Sequence, residues 1–133
     1  MAELLRGRRI HGGRARAQLL VSGEALSFFG GVDPDTGIVT ERGHPLEGRS
    51  VAGKVLAFPH GKGSTVGSYS IYRLARQGRG PAAIVNQVCE TIVAVGAIIA
   101  DIPCVDHIDL LRLEDGALAE VDADRGTVEV LDR

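Results

Sequence analysis

The chain has 133 residues, of which 44% are hydrophobic and 24% charged, with a formal net charge of −2. That length supports a hydrophobic core in a single domain over residues 1–133, and the weak charge argues against a nucleic-acid surface. Eighteen glycines against 4% aromatic residues indicate many tight turns, as in an α/β or β-rich fold with short connections.

The first ten residues contain no apolar core of the secretory type. The longest apolar run, residues 92–100, is too short to span a bilayer. No membrane attachment is expected, and the location expected is cytoplasmic. Short strands are predicted over residues 8–10 and 15–21, joined by a turn at Gly12 and Gly13. Arg14 and Arg16 alternate with Ala15 and Ala17, as on a strand with one wet face, whereas Leu19, Leu20 and Val21 run on without a break, as in a strand buried on both faces. Residues 26–39 read as a structured loop, with a short strand at residues 38–40. Phe28 and Phe29 are adjacent and cannot share a face, and Gly30, Gly31, Pro34 and Gly37 are turn formers. Within this loop Gly30, Gly31 and Asp33 allow two readings. They form a tight turn with an Asx cap, or their backbone comes close to a ligand. His44 lies in a surface connection over residues 44–50 and has no second histidine at metal spacing, so it reads as a loop residue.

Residues 55–71 carry the densest signal. Val55, Leu56, Ala57 and Phe58 form an apolar strand that Pro59 stops, because proline has no N–H for a ladder. Gly61 and Gly63 bracket Lys62, and Ser64 stands where an amphipathic pattern begins, predicting a helix over residues 65–77. The order strand, glycine turn, hydroxyl, helix puts Ser64 at a helix N-terminus, where unpaired N–H groups and the helix dipole favour negative charge. Ser64 is therefore an N-cap, a hydroxyl doing chemistry at an anion site, or both. The stretch is neither a G-x-x-x-x-G-K-[ST] phosphate loop nor a G-x-S-x-G elbow, which speaks against a nucleoside triphosphate site and a serine-hydrolase nucleophile.

Gly78, Gly80 and Pro81 end the helix, and a second buried strand is predicted over residues 82–85. Residues 91–100 are rich in β-branched residues but too long for an ordinary strand, and Ala94, Gly96 and Ala97 would let a helix pack closely, so a buried helix is predicted. Residues 102–105 read as a short strand. Residues 118–121 and 128–131 read as a hairpin, with Gly126 at the positive-φ position of its turn. The two cysteines, Cys89 and Cys104, follow no metal-ligand spacing and read as core residues rather than a disulfide. Two thiols cannot supply the usual thiolate shell of an iron–sulfur cluster, and no metal site is expected in this chain. The alternation of strands and helices, with extra strands at both ends, predicts an α/β domain with a mixed sheet or small barrel and flanking helices. Ligands of such sheets meet the loops at the strands' carboxyl ends, and the Gly61–Ser64 turn is one of these.

Three blocks, F-F-G-G-V-D-P-D-T-G-I (28–38), G-H-P-L-E-G-R-S-V-A-G-K-V-L-A-F-P-H-G-K-G-S-T-V-G-S-Y (43–69) and E-T-I-V-A-V-G-A-I-I-A-D-I-P-C-V-D (90–106), together resemble the small subunit of the aconitase X family. The resemblance covers nearly the whole chain. It implies a swivelling β/β/α domain and a hydro-lyase that works only with a large-subunit partner, which holds an iron–sulfur cluster of the 4Fe–4S type. Archaeal members dehydrate (R)-5-phosphomevalonate to trans-anhydromevalonate 5-phosphate in a modified mevalonate route to isoprenoids, and bacterial relatives dehydrate cis-3-hydroxy-L-proline. A chain with only the small part favours the archaeal form. The family's active-site serine falls in the G-x-G-S motif, which implies that Ser64 is the proton acceptor. Lys62, Gly63 and Thr65 then become candidates for holding substrate or partner, and Gly30, Gly31 and Asp33 a second group, whose loop closes over the site or touches the large subunit. The reading outside this class is a non-enzymatic module that holds phosphate or carboxylate on Ser64 and the N–H groups of residues 64–67.

Overall fold

The structure, a computed structural model, describes residues 2–132; Met1 and Arg133 lie outside it. The elements in order are β1 (Glu3–Arg6), β2 (Arg8–His11), β3 (Arg14–Val21), β4 (Val55–Phe58), α1 (Gly67–Arg76), β5 (Ala83–Asn86), α2 (Thr91–Ala100), β6 (Cys104–Asp106), a 3-10 turn (Leu110–Arg112), β7 (Leu118–Asp122) and β8 (Thr127–Asp132).

The change of pattern along β3 organises the sheet. Its first half, with exposed arginines and half-buried alanines, pairs antiparallel with β7 from Arg14 to Gln18. Its apolar second half, Leu19 to Val21, pairs parallel with β4. β5 and β6 continue the parallel sheet beyond β4, and β8 continues the antiparallel one beyond β7. The full order is β1-β8-β7-β3-β4-β5-β6-β2. β1 and β2 stand at opposite ends of that order, yet only Gly7 separates them in the chain. The sheet therefore curls until its two edges share one run of backbone. Gly7 makes the crossing possible: its N–H donates to the Gly126 carbonyl at 2.8 Å, and a Cβ there would run into the Asp106 carbonyl oxygen.

Alternation along the parallel strands divides the core in two. Leu19, Val55, Val85 and Val105 face inward against Val121 and Val128 of the antiparallel half. Leu20, Leu56, Phe58 and Ile84 face the other way, under Ile71 and Leu74 of α1 and Val93 and Ala97 of α2. The result is the β/β/α layering that the sequence led us to expect, with both helices on one face. The helices themselves approach closely: a Cβ at Gly96 would stand 2.5 Å from Ile71 Cδ1.

Several expectations are corrected. β1 was not expected, because a single inward residue, Leu5, marks it. α1 starts at Gly67, not residue 65. α2 is helical but only partly buried. Val93, Gly96 and Ala97 are covered, whereas Val95, Ile98 and Ile99 are 42–52% exposed, because a helix in an outer layer can turn only one stripe inward. Residues 38–40 form isolated bridges, Val32 to Val39 and Ile38 to Ser50, rather than a strand. β5 and β6 are shifted toward the C-terminus, to Ala83–Asn86 and Cys104–Asp106. His44 is a loop residue but not a surface one. It is 6% exposed, with Nε2 donating to the Ala25 carbonyl at 3.0 Å and Nδ1 accepting the Leu46 N–H at 3.0 Å.

Candidate functional site

Three segments converge where β4 ends. Pro59 closes the strand, and the following backbone is stitched to Leu26: the Leu26 N–H donates to the His60 carbonyl at 3.2 Å and the Lys62 N–H to the Leu26 carbonyl at 3.1 Å. The loop 26–31 therefore lies against the glycine turn. The contact is tight enough that Gly63, at φ +89°, could carry a Cβ only 2.6 Å from Ser27 Oγ. Gly31 is likewise blocked by the Ser27 carbonyl, while Gly30 faces open space at φ +84°. From the opposite side the turn rests on α2. A Cβ at Gly61 would stand 2.6 Å from Val93 Cγ2 and would clash with Glu90 Oε1. Glu90 caps α2, accepting the Ile92 N–H at 2.8 Å and the Val93 N–H at 2.9 Å.

Ser64 and Thr65 lie exposed in the turn that follows. Ser64 Oγ accepts the Val66 N–H at 3.1 Å, and its carbonyl accepts the Gly67 N–H at 2.9 Å. This local turn uses the donors that would otherwise begin the helix, which is why α1 starts late. Its N-cap, Val66, makes no side-chain cap, so the Ser64 hydroxyl, on the Val66 N–H, is the polar side-chain group at the positive end of the helix. Among the described residues, the N–H groups of Ser64 and Thr65 have no protein acceptor.

Gly30, Gly31, Lys62 and Gly63 line one shallow cavity of about 330 Å³ together with Ser27, Phe29 and Glu41. Lys62 Nζ is 2.8 Å from Glu41 Oε2. Asp33 lies next to this cavity and does not line it. Its Oδ1 accepts the Asp35 N–H at 2.8 Å in an Asx turn, and it borders an adjoining groove of about 470 Å³ between its loop and α1, which shares Phe29 and Gly30 with the first cavity. Sequence reasoning missed Ser27, Glu41 and the seat that Glu90 gives Gly61. None has a local signal, since each contact joins segments far apart in the chain.

An ion pair between the exposed Arg8 and the buried Asp106 ties β2 to β6. Arg8 grips Asp106 with Nε to Oδ1 at 3.0 Å and Nη2 to Oδ2 at 2.9 Å, and the Cys89 N–H adds a bond to Oδ2 at 2.8 Å. Burial pushes the Asp106 carboxyl up, but Arg8, the Cys89 N–H and the charge of His107 outweigh it and hold the group below the usual carboxylate range. The folded value thus lies below the unfolded one, about 3.9. The resulting stabilisation is complete above that unfolded value and is lost as pH falls through the folded one. Asp106→Asn is expected to lower the melting temperature at neutral pH and to flatten its dependence on pH between about 5 and 2. Identical acid limbs in both proteins would remove the pair from the account of stability.

The two thiols sit behind this pair, 3.9 Å apart between sulfurs. Its hydrogen bond with Cys89, then burial, pushes the Cys104 thiol up, so it stays protonated. Two thiols fall short of the usual thiolate shell of an iron–sulfur cluster, and among the described residues no group of three or more histidines, cysteines or carboxylates could hold a metal ion. This donor set does not fit such a cluster. No described helix is long and apolar enough to cross a membrane.

Comparisons with known proteins agree with this architecture. The model of the aconitase X swivel domain matches residues 4–130. A phosphomevalonate dehydratase small subunit of Thermococcus gammatolerans is 57% identical over 128 residues, covering 96% of this chain and 98% of the relative. Its counterpart in Thermococcus onnurineus is 59% identical over 126 residues, covering 95% and 97%. The crystal structure of Thermococcus kodakaraensis aconitase X in its holo-form superposes with a TM-score of 0.96 at 54% identity, covering 98% of this chain and 99% of the other. With a family match over nearly its full length, a shared β/β/α architecture and relatives more than half identical, the chain belongs to the aconitase X swivel-domain family.

Proposed function

We propose that this chain is the small subunit of a two-subunit hydro-lyase that dehydrates (R)-5-phosphomevalonate to trans-anhydromevalonate 5-phosphate, with Ser64 as the proton acceptor. The substrate follows from near-full-length relatives that bear the name phosphomevalonate dehydratase small subunit. The observation that supports Ser64 is its setting, an exposed hydroxyl that receives the Val66 N–H at the N-terminal end of α1. A serine hydroxyl is a weak base at neutral pH and takes a proton only where negative charge on its oxygen is supported. The Val66 N–H, the dipole of α1 and the Lys62 ammonium supply that support, and the free N–H groups of Ser64 and Thr65 are available to an anionic group of the substrate. In the elimination the C2–H bond breaks and its proton passes to the Ser64 oxygen in its alkoxide form, the C2=C3 double bond forms, and the C3–O bond breaks with hydroxide leaving. The hydroxide takes up a proton from solvent and Ser64 returns its own to solvent, so the net change is loss of one water.

This chain's donors do not fit a cluster, and the iron–sulfur cluster is assigned to the large subunit. The large subunit would also cover the apolar side chains that stay exposed next to the turn, Phe29 at 54% and Tyr69 at 71%. The test is anaerobic co-expression with the large subunit, followed by dehydration assays on 5-phosphomevalonate and cis-3-hydroxy-L-proline. Turnover of phosphomevalonate by the complex, and none by either subunit alone, is the expected result. Turnover of the hydroxyproline only would move the substrate. Phosphate binding by the small subunit with no turnover in a complex of intact cluster content would favour an anion-binding module.

A further inference from the structure

Lys62 is the basic residue of the cavity beside the Ser64 turn, and its ammonium is held by a carboxylate from a distant loop. Glu41 Oε2 lies 2.8 Å from Lys62 Nζ. The other oxygen, Oε1, is closed off from solvent and has no hydrogen-bond partner, and it points toward the bare Cα of Gly31, where a Cβ would stand 3.4 Å away. Stability does not explain this arrangement. The ion pair is half exposed, with 46% of the Lys62 and 27% of the Glu41 side chain accessible, and such pairs contribute little. An unpaired, desolvated carboxylate oxygen costs more than that. A negative charge at this place also opposes binding of an anionic substrate.

We propose that Glu41 is a positioning residue: it holds the Lys62 ammonium where it supports negative charge on Ser64 and offsets part of the attraction that Lys62 exerts on the substrate's anionic groups. The inference rests on the dehydratase reading of the site. Glu41→Gln keeps the shape and an acceptor for Lys62 but removes the charge. In the reconstituted complex KM for phosphomevalonate is expected to fall about three- to tenfold, because a repulsive charge is gone, while kcat falls about tenfold, because a neutral amide holds the ammonium much less firmly than the carboxylate does. The change in KM shrinks as salt is raised. Glu41→Asp keeps the charge without the reach, so it lowers kcat and leaves KM near the wild-type value. In a Lys62→Met background Glu41→Gln has no further effect on kcat, since the group it positions is absent.

Merely structural damage would instead raise KM and lower the melting temperature, and its effect would persist in the Lys62→Met background; that pattern overturns the inference. Unchanged kinetics in Glu41→Gln, with a wild-type complex that turns over, overturns it while leaving the dehydratase reading intact. A wild-type complex with full cluster content and no turnover of phosphomevalonate removes the reading and the inference together.

Discussion

Ser64→Ala is expected to lower kcat of the assembled dehydratase by about 10²- to 10⁴-fold, a loss of about 3–5.5 kcal/mol in transition-state stabilisation, with KM changed far less. The same hydroxyl also holds the turn before α1 through the Val66 N–H, so loss of activity alone does not separate chemistry from folding. Two substitutions do. Ser64 holds the turn ahead of α1 as a cap would, although the N-cap itself is Val66. At capping positions alanine costs about 0.5–2 kcal/mol, whereas glycine costs only a few tenths. Ser64→Gly should therefore melt close to the wild type and Ser64→Ala a few degrees lower, while both lose activity to the same extent. If Ser64→Gly retained near-normal kcat with the large subunit bound and its cluster intact, the proton acceptor would lie elsewhere, and Ser64 would serve only the turn before α1. A graded loss of activity that tracked the melting temperature across the two variants would point the same way.

Legibility in the sequence followed the range of the interactions. The unbroken run of Leu19, Leu20 and Val21 announced a strand buried on both faces, and the structure puts Leu19 and Leu20 in opposite halves of the core. The adjacency of Phe28 and Phe29 required them to part: Phe28 packs edge-on to Phe58 at 5.8 Å between ring centroids, while Phe29 is exposed. These are statements about neighbours. Closure of the sheet was hidden, because it depends on Gly7 passing beneath the Asp106 carbonyl, 99 residues away in the chain. The exposure of Val95, Ile98 and Ile99 was hidden for a related reason. A uniformly apolar helix has no polar face to show which side turns outward. At the site the glycine turn was visible as G-K-G-S, but Glu41 lies in the gap between the segments that carry the family resemblance, and nothing local ties it to Lys62. Asp33 illustrates the converse. Its sequence context suits both an Asx turn and a ligand contact, and the geometry shows the turn.

The second large effect is expected at Gly61, which touches no substrate in the proposed reading. Its φ is not positive, so backbone conformation alone would tolerate a side chain there. Space is what forbids it: any Cβ meets Val93 Cγ2 at 2.6 Å and collides with Glu90 Oε1. Val93 is fully buried and Glu90 is committed to two N–H groups of α2, so neither yields without loss. Relieving the clash from the Glu90 side breaks a helix cap, at about 0.5–2 kcal/mol. Relieving it from the other side pushes the turn outward and carries Ser64, three residues on, away from its place, and a displacement of about 1 Å at a reacting group costs on the order of 10²-fold in rate. Gly61→Val is therefore expected to lower kcat by about 10²-fold and to lower the melting temperature as well, with faster hydrogen exchange at Ile92 and Val93 marking the loosened cap. Gly23→Ala is the matched control, since a Cβ there meets nothing within 4 Å and should leave both quantities unchanged. If Gly61→Val kept full activity, the seating of the glycine turn on the α2 N-terminus would not be what positions Ser64, and the contacts of Ser27 with Gly63 would have to carry that role alone.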